Sequence, residues 1–401
     1  MAEELILTFT GRDAPGITAQ LSRILAQGGA RLDDVEQVVV QGLLTLGFAV
    51  EVDAAEPVLK ELLFAARTLG LQLEFRRLAP NRESPRERYA LTVIARTLGP
   101  SALQAVSEAL ASHHANIERI HRLSEGGLGA TEWAAGRLAC IEFAISLAPG
   151  APEAPLKAAL LEAAGKGAFD CALQRETLLR RSKRLVVMDM DSTLIRIEVI
   201  DELARAHGVG DEVAAITRRA MLGELDFDQS LRERVALLRG LDARVLLELS
   251  ANLPLTEGAE TLLRVLKRLG YRTAVISGGF SVAAEALQKR LGIDFAWSNT
   301  LEIADGKLTG RVTGPIVNAQ RKAEILEELS QREGVPLDQV IAIGDGANDL
   351  LMLQKAGHGI AFHAKPRLRE AAHTAISAMG LDAILYLLGI TGRDIASLEE
   401  T

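Results

Sequence analysis

What most constrains this chain is a pattern that begins at Arg184. Short apolar strands, Leu185 to Met188, Thr273 to Ile276 and Val340 to Ile343, alternate with longer helical stretches, and each strand stops at a polar or glycine-rich turn. Strands that are apolar on both faces must be covered on both. Parallel neighbours also need crossovers long enough to hold a helix, so the pattern predicts a parallel sheet between helical layers. Ligands of such sheets sit beyond the carboxyl ends of the strands, which makes those three ends the place to look for chemistry. Between the first and second strands, roughly Val199 to Leu253 carries helical periodicity without a strand pattern and reads as an inserted helical cap over the site.

The first end reads Val187-Met188-Asp189-Met190-Asp191-Ser192-Thr193. Side chains two apart on a strand point the same way, so two carboxylates are aimed together; in isolation the pair also reads as caps of a strand-to-loop turn. The third end, Gly344-Asp345-Gly346-Ala347-Asn348-Asp349, adds glycines for a sharp turn, Asn348 as a cap for the next helix, and a second acidic pair. Acidic pairs meeting at one sheet edge repel and raise a pKa. A hard cation removes the conflict, and Mg²⁺ takes such oxygen ligands. The second end, Ile276-Ser277-Gly278-Gly279-Phe280, offers a hydroxyl and backbone N–H groups just before a helix, which suits a phosphate. Lys322, at the start of a helix predicted over Ala319 to Leu329, supplies positive charge for phosphoryl oxygens, although a lone Lys there is ordinarily solvated.

In this order the four segments resemble the motifs of the haloacid dehalogenase-type phosphatase superfamily, an α/β class with a Rossmann-like parallel-sheet core and an inserted helical cap. The stretch Asp189 to Glu198, with Met221 to Phe227 and Ser230 to Arg234 in the cap, is similar to the phosphoserine phosphatase branch over about Lys183 to Gly389. The resemblance implies Asp189 as nucleophile and Asp191 as acid and base. It implies Mg²⁺ held by Asp189, the main-chain oxygen of Asp191 and Asp345, with Asp349 behind them. Glu198 and Arg234 would read the ammonium and carboxylate of the substrate, and Met221 and Phe227 would line the cap wall. Ser277, Gly278, Lys322 and Asn348 would hold the phosphoryl and seryl groups. The implied reaction is hydrolysis of O-phospho-L-serine to L-serine and phosphate through an aspartyl-phosphate. Two alternatives stay open: transfer of the phosphoryl group to an alcohol by the same chemistry, and an amino-acid sensor with a degenerate phosphatase half, against which the complete motifs weigh.

The N-terminal part carries a faint internal repeat. Leu7-Thr8-Phe9, followed by a helix ending near Gly28-Gly29-Ala30, reappears as Leu91-Thr92-Val93 with a helix ending near His113-His114-Ala115. Each copy reads strand, helix, strand, strand, helix, strand, with a hairpin signal at Gln41-Gly42 between period-two runs; this is the ferredoxin-like βαββαβ plan. Prolines and charges at Ala79 to Arg86 read as a linker, and a second boundary falls near Arg180 to Arg184. The predicted domains are 1–80, 87–178 and 183–401, with the cap at about 199–253. The two copies resemble tandem ACT domains, which implies an amino-acid effector such as L-serine and a homodimer or higher oligomer formed through them. The turn Thr10 to Ile17, with Asp13 and Gly16, is the implied effector site. The matching turn Ala95 to Ser101 lacks the Asp. A plainer reading makes Asp13 a helix cap and Pro15 part of the first helical turn.

Composition narrows the remainder. With 48% hydrophobic and 24% charged residues and a formal charge of −8, the chain reads as an ordinary globular protein with no electrostatic footprint for nucleic acid. No run reaches the ~18 apolar residues of a membrane span, which also sets aside a P-type pump sharing the aspartyl-phosphate motif. The opening residues lack a signal peptide's pattern, so the cytoplasm is the expected compartment. Cys140 and Cys171, both in apolar surroundings, read as reduced core thiols.

Overall fold

Leu5, Leu7 and Phe9 are buried at every second position, as are Leu44, Leu46, Phe48, Val50 and Val52. This period of two gives an antiparallel sheet one apolar face, which packs against two helices. The computed structural model describes residues 3–77, 86–124, 138–177, 179–180 and 182–399; the linker residues 79–85, and Arg181 within the second boundary, lie outside the described residues. The first sheet has β1 (Glu3–Arg12), β2 (Arg31–Val40), β3 (Leu43–Val52) and β4 (Leu71–Arg77) in the order β2-β3-β1-β4. Helices Ile17–Gln27 and Ala55–Thr68 complete its core. Gln41 and Gly42, with φ of 51° and 78°, make the two-residue turn between β2 and β3 that the sequence predicts. The first helix starts at Gly16, with φ of 94° and no side-chain cap. The reading of Asp13 as the helix cap is therefore corrected: the left-handed turn requires Gly16, and that glycine occupies the cap position.

The plan recurs in β5 (Glu87–Ala95), β6 (Asn116–Arg122), β7 (Ala139–Leu147) and β8 (Asp170–Arg175), ordered β6-β7-β5-β8, with helices Pro100–Ser112 and Glu153–Gly167. The third sheet holds β9 (Leu185–Met188), β10 (Arg272–Phe280), β11 (Phe295–Ala304), β12 (Lys307–Thr313), β13 (Val340–Gly344), β14 (His358–Phe362) and β15 (Thr374–Ile376). Its order is β12-β11-β10-β9-β13-β14-β15, parallel except for β12. The three strands read from sequence are thus its adjacent centre. The cap is helices Val199–His207, Gly210–Met221, Phe227–Leu237 and Ala243–Ala251. The fold is the α/β class the sequence predicts.

By its contacts the chain forms two compact units, Met1–Pro85 and Arg86–Thr401. Within the second unit, Ile94, Leu123, Leu138 and Cys140 of the ferredoxin-like module share one core with Tyr386 and Leu387 of the parallel-sheet part. Polar joints reinforce the seam. The Asp170 carboxylate accepts N–H bonds from Ser377, Ala378 and Met379 at 2.8, 2.9 and 3.1 Å. Arg180 is buried against Glu142 and donates to Gln174 at 3.0 Å. Both cysteines are buried and free, and burial pushes the Cys171 thiol up to about 12. Among the described residues no helix is long and apolar enough to cross a membrane.

His358 lies in the same seam, 3.1 Å from Gln174 Nε2 and from Thr374 Oγ1. Burial, helped by His373 and nearby cations, lowers its pKa to about 3. A depressed pKa means the unfolded chain binds the proton more readily, so this stability is full above the ordinary value of 6.5 and is lost as pH falls toward 3. Between about pH 7.5 and about pH 5, urea unfolding should show the wild type losing about 2 kcal/mol more than His358→Gln. Parallel losses in the two proteins would contradict this.

Candidate active site

β9 lies where the sheet order reverses: β10 and β11 follow on one side, β13 and β14 on the other. Such a switch point opens a crevice at the carboxyl edge, and the three motif turns meet there. Asp189 follows β9 directly. Asp191 continues in extended geometry, and Ser192, with φ of 57°, turns the chain back. The pocket, about 510 Å³, is lined from the core by Asp189, Asp191, Ser277, Gly278, Asp345 and Asn348, and from the cap side by Glu198, Met221, Phe227 and Arg234. Ten of the residues singled out in the sequence thus face one cavity.

Lys322 and Asp349 lie beneath its floor. Lys322 is fully buried, not solvated, because its ammonium is clasped between Asp189 Oδ2 at 2.8 Å and Asp349 Oδ1 at 2.7 Å. Burial alone would lower its pKa, but the two carboxylates outweigh it and hold the ammonium above its usual range. The other Asp189 oxygen accepts the Met190 N–H at 2.7 Å, so the side chain is fixed at both ends. Asp349 Oδ2 takes the N–H groups of Gly346 at 3.0 Å and Asp345 at 3.2 Å. Asp349 thus closes the preceding turn, while Asn348, expected to cap the next helix, instead lines the pocket half-buried, and the helix Leu350–Lys355 has no side-chain cap. A Cβ on Gly344 would lie 2.4 Å from this carboxylate, which is why the position is glycine.

The electrostatics are strongly unbalanced. Burial, with Glu198 and then Asp189 nearby, raises the Asp191 pKa well above the carboxylate range. Burial and the Asp189 and Asp349 charges push Asp345 up to about 7. Asp191 Oδ1 accepts the Val199 N–H at 3.2 Å, and Asp345 accepts the Thr193 hydroxyl at 3.1 Å. Burial also raises Glu198, which accepts from Ser192 at 3.0 Å, and lowers Arg234. Carboxylate oxygens of Asp189, Asp345 and Asp349 lie within 4.8 Å of one another. All three offer hard oxygen donors, and the single Lys322 ammonium does not balance three carboxylates, a set that fits a divalent cation. Asp349 lies beneath the floor, whereas Asp189 and Asp345 line the pocket and are the carboxylates that face it.

Asn299 was not singled out in the sequence. This buried side chain donates to the Gly278 carbonyl and accepts from the Val317 N–H, both at 2.8 Å, and so braces the Ser277 turn. An Asn inside a strand, where its type is depleted, was the available signal. Phe227 presses on the same turn from the cap: a Cβ on Gly278 would lie 2.8 Å from its ring.

Removing Lys322 strands two buried carboxylates. Lys322→Met should cost about 3–5 kcal/mol in urea unfolding at neutral pH; an unshifted midpoint would contradict the clasp.

The chain matches the family model of haloacid dehalogenase-like hydrolases over residues 183–357 and that of ACT domains over residues 3–76. It is 46% identical to a phosphoserine phosphatase of Streptomyces coelicolor, over 98% of this chain and 94% of that one. It is 42% identical to phosphoserine phosphatase SerB2 of Mycobacterium tuberculosis, over 98% and 95%. Among solved structures, a HAD family hydrolase of Salmonella enterica serovar Typhi superposes with a TM-score of 0.65 at 32% identity, covering 75% of this chain and 98% of that one. A probable phosphoserine phosphatase of Vibrio cholerae gives 0.59 at 34%, covering 78% and 89%.

Proposed function

Because the chain belongs to the phosphoserine phosphatase family of haloacid dehalogenase-like hydrolases, we propose that it hydrolyses O-phospho-L-serine to L-serine and phosphate, with Asp189 carrying the phosphoryl group. The observation that carries this reading is the clasp: Asp189 is ion-paired to the buried Lys322 ammonium, while burial and the neighbouring carboxylates hold Asp191, two residues on, toward its protonated form. Two like groups in such different surroundings, one beside a cation and one beside carboxylates, suit a nucleophile and an acid.

In this reading an Asp189 oxygen attacks phosphorus and the bond to the seryl oxygen breaks. Asp191 gives its proton to that oxygen, so serine departs neutral at the hydroxyl. Asp191, now a carboxylate, takes a proton from water as the water oxygen attacks the aspartyl-phosphate, which restores Asp189 and releases phosphate. Ser277, the Gly278 N–H and Asn348 orient the phosphoryl oxygens, with Lys322 adding charge beneath. Asp189, Asp345 and the main-chain oxygen of Asp191 would hold Mg²⁺, whose charge offsets the repulsion between a phosphate dianion and these carboxylates. Glu198 and Arg234 read the amino-acid end, where a bidentate guanidinium suits a carboxylate.

Phosphate release from phosphoserine should need added Mg²⁺, stop with EDTA, and fall at least about a thousandfold in Asp189→Asn. Arg234→Ala should lower kcat/KM for phosphoserine at least about tenfold more than for p-nitrophenyl phosphate. An active Asp189→Asn protein free of deamidation, or equal losses on the two substrates, would overturn the respective assignment.

The ACT module supports control by an amino acid, with L-serine at the Asp13–Gly16 turn. It also supports assembly with a second copy. All ten residues of the edge strand β2 are exposed, including Val35, Val38, Val39 and Val40, a surface that otherwise invites unwanted pairing. A chain lacking residues 1–85, which form a compact unit, should show altered inhibition by serine and a smaller assembly in sedimentation. Unchanged inhibition and assembly would contradict both roles.

A further inference from the structure

We infer that Lys365 is a substrate-capturing cation at the mouth of the pocket, bridging the phosphatase core and the Met221 edge of the cap; the inference rests on the phosphoserine phosphatase reading. Lys365 lies in the loop after β14 and lines the same cavity as Asp189, Asp191, Glu198 and Asp345. Its side chain is exposed, and its Nζ is 3.8 Å from Met221 Sδ across the opening. Lys322 is neutralised beneath the floor by Asp189 and Asp349, and Arg234 sits half-buried on the cap side. Among the described residues Lys365 is the exposed cation of this lining, and no ion pair holds it.

The loop that carries it is held in an otherwise costly shape. His363 is a non-glycine residue with φ of 46°, a conformation that costs about 1–3 kcal/mol and persists only where the surroundings over-determine it. Here they do. Its N–H donates to the Ile376 carbonyl at 2.7 Å, its Nε2 meets the Met379 carbonyl at 2.9 Å, and its ring stacks on Phe362 at 4.2 Å. The segment Ser377–Met379 is in turn anchored by Asp170 of the second ferredoxin-like module. A lysine that merely solvates a surface needs no such support.

The chemistry explains the position. A cleft lined by carboxylates projects negative potential to its mouth, and a phosphomonoester dianion approaches against it. A fixed cation at the rim reverses the local field along the entry path without adding charge at the reacting phosphorus. The role is therefore capture and positioning, and it should appear in KM and in salt dependence, with kcat retained.

The test is steady-state hydrolysis of phosphoserine at low and high ionic strength by wild type, Lys365→Met and Lys365→Arg. Met keeps the apolar stem against Met221, and Arg keeps the charge. At low salt Lys365→Met should lower kcat/KM about three- to tenfold, through KM, the scale of one exposed charge acting on a dianion. Its salt dependence should be flatter, and Lys365→Arg should restore both. An active wild type matched by Lys365→Met in kcat/KM and salt slope overturns this inference alone. So does an equal fall of kcat that Arg does not rescue, which is a structural effect. A wild type inert toward phosphoserine overturns the functional reading and this inference with it.

Discussion

The site depends on one buried ammonium. Lys322 holds Asp189 and Asp349 together below the pocket floor, and without it the carboxyl edge of the central strands would concentrate negative charge with nothing to offset it. Because the ammonium is fixed from the helix Ala319–Arg332, itself started by Asn318 capping the Arg321 N–H at 3.1 Å, the helix, β9 and the Gly344–Asp349 turn are tied at one atom. Asp349 passes that constraint to the backbone of Asp345 and Gly346. The result is an Asp189 carboxylate with both oxygens engaged, facing a cavity in which Asp191 is held toward its protonated form.

Much of this was legible in the residues. Apolar runs ending in Asp-x-Asp, Ser-Gly-Gly and Gly-Asp-Gly fixed which strand ends matter, since period and turn chemistry are local properties. The long-range parts were less visible. β11 and β12 form a hairpin with few buried positions, and β15 has three residues, so neither writes a clear pattern. The burial of Lys322 was hidden because side-chain type alone argues for solvent; only the two carboxylates, from different strand ends, reverse it. The closing of the Gly344 turn by Asp349, and the brace from Asn299 to the Ser277 turn, likewise depend on tertiary neighbours. In the first module a glycine in the left-handed region took the cap position that Asp13 was expected to fill.

The second ferredoxin-like module is part of the catalytic unit by its packing. The Asp170 carboxylate at the start of its β8 holds the segment Ser377–Met379 just after β15, and its core merges with that of the parallel-sheet part. Support of this kind reaches the pocket through the loop after β14, where His363 is strained and held. The first module is a separate compact unit, whose edge strand β2 exposes Val35, Val38, Val39 and Val40.

The central claim is that the phosphoryl group rests on Asp189. Rapid acid quench of the enzyme turning over radiolabelled phosphoserine, followed by peptide mapping, tests it directly. The account predicts label on the peptide containing Asp189, released by hydroxylamine as an acyl-phosphate is. Label on another residue, or turnover with no labelled protein at any quench time, would contradict it.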